Sequence, residues 1–245
     1  FFKLLVMSNT YRQAATVTPE KQTKDADNRL LSRGPRYRLD AEMIRDYALA
    51  ASGLLARKIG GPSVRPYQPE GVWEAVAMIG SNTRDYKRDS GENLYRRSIY
   101  TVWKRAAPPA SMEILNAPNR ETCAVRRERT DTPLQALVTL NDVQFVEAAR
   151  HLAQMTITKA GAKDDERLDY LARRLLARPF RSDELPVVKS SLADLVTYYQ
   201  AHPEDAKQLV AVGESKADPS LDPPLLAAWT MLANELINLD EVLNK

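Results

Sequence analysis

Apolar side chains recur at helical spacing along most of the chain, which predicts a mainly α, irregular helical domain with a small β element near 94–105. Phe2, Leu5, Val6 and Tyr11 fit one face of an opening helix over residues 1–15, ended by Val17-Thr18-Pro19, because the residue before proline avoids the α region. Asp40 stands where it can cap a helix carrying Met43, Tyr47, Leu49, Ala50, Leu54 and Leu55, with Gly60-Gly61-Pro62 as its stop. Residues 60–92 lose periodicity and carry Pro62, Pro66, Pro69, Gly71, Gly80 and Gly91, so they read as a long loop. Ser98 to Trp103 is β-branched and aromatic, which makes it the best strand in the chain. Thr132 with Pro133 opens a helical run, recapped at Asn141 or Asp142 and continued over 164–178, 182–201, 203–212 and 225–239.

Length and composition narrow the classes. A chain of 245 residues with 44% hydrophobic content can build a sizeable core. No run of 18 apolar residues is present, so no membrane-spanning helix is expected. One cysteine, Cys123, excludes an internal disulfide framework and a cysteine-based zinc site, and two histidines leave little for a histidine metal centre. Phosphate-loop, dinucleotide, nucleophile-elbow, zincin and haem-attachment motifs are all absent. No metal site and no cofactor is therefore assigned to this chain.

Charge changes the picture more than composition does. The net charge is only +3, yet residues 1–135 hold 23 basic and 15 acidic side chains, while residues 136–245 hold 12 basic and 17 acidic. Two parts follow: a basic, arginine- and aromatic-rich part over 1–131, and a helical part over 132–245 packed with it as one domain. Arginine forms most of the surplus, which suits bidentate contact with carboxylate, phosphate or sulfate. A total of +3 with an acidic second half is weak for nucleic acid.

Three constellations carry this charge. Arg36, Arg38 and Arg45 surround Asp40, Glu42 and Asp46; on a helix Glu42 and Asp46 share a face, so they are candidates for acid–base chemistry, with Tyr100 beside them. Arg97, Tyr100 and Trp103 belong to a segment in which arginines and aromatics alternate, as in a surface that stacks on sugar rings. Arg126, Arg127 and Arg129, with Arg120, abut the helix that starts at Thr132 and Gln135, where backbone N–H groups favour an anion. Cys123 among these cations is a weak nucleophile candidate without a histidine beside it in sequence.

Several segments together resemble a known family. They are Ser8 to Gln13, Asn28 to Leu31, Arg36 to Asp46, Ile59 to Val64, Tyr95 to Tyr100, Arg126-Arg127, Thr132 to Leu137 and Leu140 to Asp142, with Ala228-Trp229 and Leu236 to Glu241 at the end. This series is similar to the C-terminal domain of unknown function 1553 of planctomycete-type proteins. The resemblance implies an exported, periplasmic parent protein with a cytochrome c-like haem domain and a second uncharacterised domain upstream, and a missing opening portion here. It supplies no catalytic residues, and it leaves Cys123 free or paired with a cysteine outside this segment.

Three readings remain open. The first is a ligand- or partner-binding helical domain of a larger exported haem-associated protein, with an arginine-rich anion-binding surface. Its partners would be the upstream domains or an acidic glycan. The second is a carboxylate- and arginine-dependent enzyme acting on a polysaccharide. The third is a structural scaffold whose arginines are all paired internally.

Overall fold

A computed structural model describes residues 1–244, and the fold is mainly helical. The centre is a pair of helices, α7 (Val143–Lys159) and α11 (Pro223–Ile237), packed on each other and buried on almost every side. Phe145, Ala148, Ala149, Leu152 and Ala153 of α7 are inaccessible, as are Ala227, Ala228, Trp229 and Ala233 of α11. Alanines let the two backbones approach closely, while Trp229 and Phe145 fill the volume; each large side chain contributes about 1.5–3 kcal/mol relative to exposure. Around this pair stand α3 (Ala41–Ser52), α6 (Pro133–Asn141), α8 (Asp164–Leu176), α9 (Glu184–Ala201), α10 (Pro203–Val210) and α12 (Asp240–Leu243). Leu39, Ile44 and Met112 from the basic part join the same apolar cluster as Leu168, Trp229 and Val242.

Local chemistry sets the helix ends. Thr132 Oγ1 accepts from the Gln135 N–H, the Gln135 side chain returns a bond to the Thr132 N–H, and Pro133 occupies the first turn of α6. The Asp142 carboxylate caps α7 through the Gln144 N–H at 3.0 Å. Asp222 caps α11 in the same way.

Three expectations are corrected. The opening helix shrinks to α1 (Phe2–Val6), whose side chains are all exposed; without a surface to bury them, a short helix has little to propagate it. A second short helix, α2 (Pro19–Lys24), follows. α3 stops at Gly53, in the left-handed region at φ 80°, well before Gly60. Residues 98–100 form a 3-10 turn, not a strand, and the β character of 94–105 is confined to isolated bridges, Ala56 with Arg96, Val64 with Thr101 and Lys104 with Ala107. The reason lies on α3: its side chains take the backbone groups that a strand partner would need. Arg45 donates to the carbonyls of Leu94 and Arg96, and Asp46 accepts from the Ser98 N–H. Two short helices, α4 (Val72–Ala75) and α5 (Ala110–Ile114), complete the fold. No helix among the described residues is long and apolar enough to cross a membrane.

Candidate functional site

Several of the sequence-predicted arginines turn inward. Arg45 is 2% exposed and gives its whole guanidinium to Gln144 Oε1 at 2.6 Å, the Leu94 and Arg96 carbonyls at 2.7 and 2.8 Å, and Ser98 Oγ at 3.2 Å. Burial pulls it down to about 10, against the opposing charges of Asp46 and Asp142. Arg96, equally buried, donates to the carbonyls of Pro62 and Gly60 and covers the Tyr100 ring at 3.8 Å. Tyr100 accepts from the Gly60 N–H, so it serves the 58–62 turn and does not join Asp40, Glu42 and Asp46. Arg36 pairs with Asp240 and Arg38 with Asp131, and Leu39 N–H bonds the Leu243 carbonyl, so this strip fastens the C-terminal segment. Gln135 is a buried cap that also donates to Ile114 O and Thr130 Oγ1.

The remaining candidates converge. An open cleft of about 750 Å³ runs along α3 and is lined by Asp40, Glu42 and Asp46 together with Arg97, Arg120 and Arg127. Its floor is apolar, from Leu39, Met43, Tyr47, Ala50, Leu55 and Ile99. Arg127 forks onto the Glu42 carboxylate at 2.6 and 3.2 Å and lies 3.6 Å from Asp40. Burial alone would raise the Glu42 carboxyl, but the bonds and charge of Arg127 outweigh it and hold the group below the usual carboxylate range. Asp46 Oδ1 is occupied by the Ser98 N–H and hydroxyl.

Arg120 and Arg127 reach this cleft from a flap over residues 116–131. Thr130 Oγ1 accepts from Asn116 Nδ2 and Gln135 Nε2, which closes the base of the flap onto α6. Trp103 Nε1 donates to the Asn119 carbonyl, and Arg120 lies over its ring at 4.3 Å. Arg129 lies over Tyr37. A second hollow, of about 380 Å³, adjoins the cleft through Arg127 and is lined by Arg126, Glu128, Arg129 and Thr130. Among the described residues, Arg97, Arg126 and Arg129 make no ion pair, and Arg120 adds its charge to that of Arg127 on Glu42. Cys123 sits exposed on the flap.

One polar cluster escaped the sequence reading. Glu147, fully buried on α7, accepts from Tyr67 Oη and Tyr95 Oη at 2.8 Å and from the Ser215 N–H and hydroxyl at 2.6 Å. Arg150, one turn on, donates to Ser215. Burial, with the bond to Glu147, pushes the Tyr95 phenol up to about 12. Tyr67 also borders an open cavity of about 1070 Å³, lined by Glu70, Glu74, Tyr86, Arg88 and Asp142 among others. Helical periodicity places Glu147 and Arg150 on α7 but cannot tell a buried charge from a solvated one; partners from three segments far apart in sequence, at Tyr67, Tyr95 and Ser215, make the difference.

No curated protein and no solved structure matches the chain. The family model PSD1, described as "Protein of unknown function (DUF1553)", matches residues 1–192, a span that holds the α3 cleft, the flap and Glu147 and ends before α11. The chain belongs to the PSD1 (DUF1553) family of proteins of unknown function.

Proposed function

We propose that this domain binds an extended polyanion, an acidic or sulfated glycan, along the α3 cleft and the adjoining flap hollow. One observation supports the reading above the others: Arg97, Arg126 and Arg129 border two contiguous depressions and make no ion pair among the described residues, and Arg120, whose charge also acts on Glu42, lines the same cleft. A guanidinium offers a planar fork to sulfate or carboxylate, and several along one groove suit a chain that repeats its charge. Arg36, Arg38, Arg45 and Arg96 have the scaffold role instead, each held by the fold itself.

The binding domain is proposed to act as part of a larger exported protein with a haem domain upstream. The residues here do not fit a haem: the lone Cys123 lies on the flap, His151 Nδ1 is bonded to the Ser52 carbonyl, and His202 stacks on Tyr198. The cleft also gathers Asp40, Glu42 and Asp46, the convergence a polysaccharide-active enzyme requires. With Glu42 held ionised by Arg127, Asp46 bonded to Ser98 and Tyr100 turned to Gly60, recognition accounts for more of these groups than proton transfer does.

Reversing Arg97 and Arg126 to Glu tests the reading. Both side chains are exposed, so stability should stay within about 0.5 kcal/mol of wild type, while binding of chondroitin sulfate oligosaccharides by calorimetry should vanish. Equal binding by the double variant would remove the groove from consideration.

A further inference from the structure

We infer that the Arg127–Glu42 pair is a latch that holds the flap across the α3 cleft, and that an incoming sulfate or carboxylate displaces Glu42 from Arg127 and releases the flap. The inference rests on the binding reading above and adds how the site opens.

Four features carry it. The pair joins the C-terminal arm of the flap to α3, with Arg127 Nη1 and Nη2 each on one Glu42 oxygen. Its side chains are 35% and 20% exposed, so solvent and a ligand reach it, unlike the buried Arg45. A ligand anion in the cleft would meet Arg127 with the same bidentate geometry that Glu42 now uses, so the two compete for one fork. The flap is otherwise tied at its base, through Asn116, Thr130 and Gln135, by the Arg38–Asp131 pair and by Arg129 over Tyr37, and more lightly at its flank, where Arg120 and Asn119 rest on Trp103. Residues 121–126 between these ties are all exposed, and Arg126 has no side-chain partner among the described residues. Breaking the latch therefore lets residues 119–127 lift, Arg120 and Asn119 leaving Trp103, while the base of the flap holds and the core stays folded. The carboxylate of Glu42, released from Arg127, faces solvent in the cleft, beside Asp40 and Arg97.

Trp103 reports on the flap. Trp73 and Trp229 are 5% and 0% exposed, so a collisional quencher reaches Trp103 first. Acrylamide quenching is measured on the whole chain for wild type, Glu42→Gln and Arg127→Gln, with Trp103→Phe to confirm that the quenchable signal is lost. Arg127 lies on the flap, so its variant opens the latch even if Glu42→Gln perturbs α3. Both variants should raise the quenching constant about twofold, the scale of a partly exposed ion pair. Chondroitin sulfate oligosaccharides should raise wild-type quenching to the same level and leave Glu42→Gln unchanged, and Glu42→Gln should bind them about threefold more tightly because its competitor is gone. Unchanged quenching in both variants overturns the latch whether or not the glycan binds. Opened variants with no glycan binding to any form overturn displacement together with the binding reading. Glycan binding with wild-type quenching unchanged overturns displacement alone.

Discussion

Arg45 shows how one side chain can organise a region. It joins α3 to α7 through Gln144 and holds the 94–98 segment through the Leu94 and Arg96 carbonyls and the Ser98 hydroxyl. Arg45→Ala would leave buried carbonyls unpaired, and we expect a loss of about 3–5 kcal/mol in urea denaturation; near-wild-type stability would show that water replaces the guanidinium. Arg45→Lys should recover only part, because an ammonium cannot span acceptors arranged around a plane. This role was not legible in the sequence. Its acceptors lie 49 to 99 positions away, and an arginine on a helix looks the same whether it faces solvent or core. The Thr132, Pro133 and Gln135 cap was legible because all its chemistry falls within four residues. Asp40, Glu42, Arg97 and Arg127 were named from charge pattern, and the fold brings them to one cleft; Arg36, Arg38 and Tyr100 were named on the same pattern and serve other contacts.

At the scale of elements, α7, α8 and α11 follow their periodicity, since each buries an apolar stripe, whereas α6 buries Gln135 and Thr139 and leaves Leu134 and Leu137 exposed. The 94–105 segment does not form its strand, because β propensity yields to an arginine and an aspartate on α3 that claim its backbone. The α8–α9 turn and α12 are clamped by Arg178, which forks onto Glu184 and Glu241. The bonds from Arg178 hold Glu184 near 2, against an ordinary 4.5, and depress Glu241 as well. A depressed carboxyl binds fewer protons folded than unfolded, so its stabilisation is present above 4.5 and is lost as pH falls towards 2. Arg178→Gln should therefore lower stability at neutral pH and flatten its decline over that window, as measured by thermal melts; a parallel decline would contradict the clamp. Gly213 tests the loop after α10. It has φ 91°, and a Cβ there would meet the Glu147 carboxyl at 2.4 Å. Gly213→Ala should cost about 1–3 kcal/mol through strain and a displaced buried carboxylate, read from the urea midpoint.

Across the whole molecule, Glu147 ties the 67 and 95 segments and the 215 loop to α7, at a point where the long irregular stretch meets the helical part. Tyr95, raised to about 12, keeps its proton in the folded state above pH 10, where the unfolded chain has released it. Stability should thus be full below pH 10 and fall as pH rises towards 12, and Tyr95→Phe should remove part of that alkaline slope. The mainly helical class was legible from periodicity, whereas this tie between distant segments was not, because no local pattern marks it. The charge asymmetry of the sequence also acquires a place: part of the basic surplus is consumed inside the fold, and Arg97, Arg120, Arg126, Arg127 and Arg129 stand beside the α3 cleft and the hollow that adjoins it. The most direct test of that account is the salt dependence of chondroitin sulfate binding to the whole chain, compared with the Arg97→Glu, Arg126→Glu double variant. The account predicts that wild-type affinity falls steeply and linearly on a logarithmic salt axis, as for proteins that displace counterions from a polyanion, and that the variant does not bind. Wild type that ignores the polyanion at low salt, or a variant that binds it equally, would contradict it.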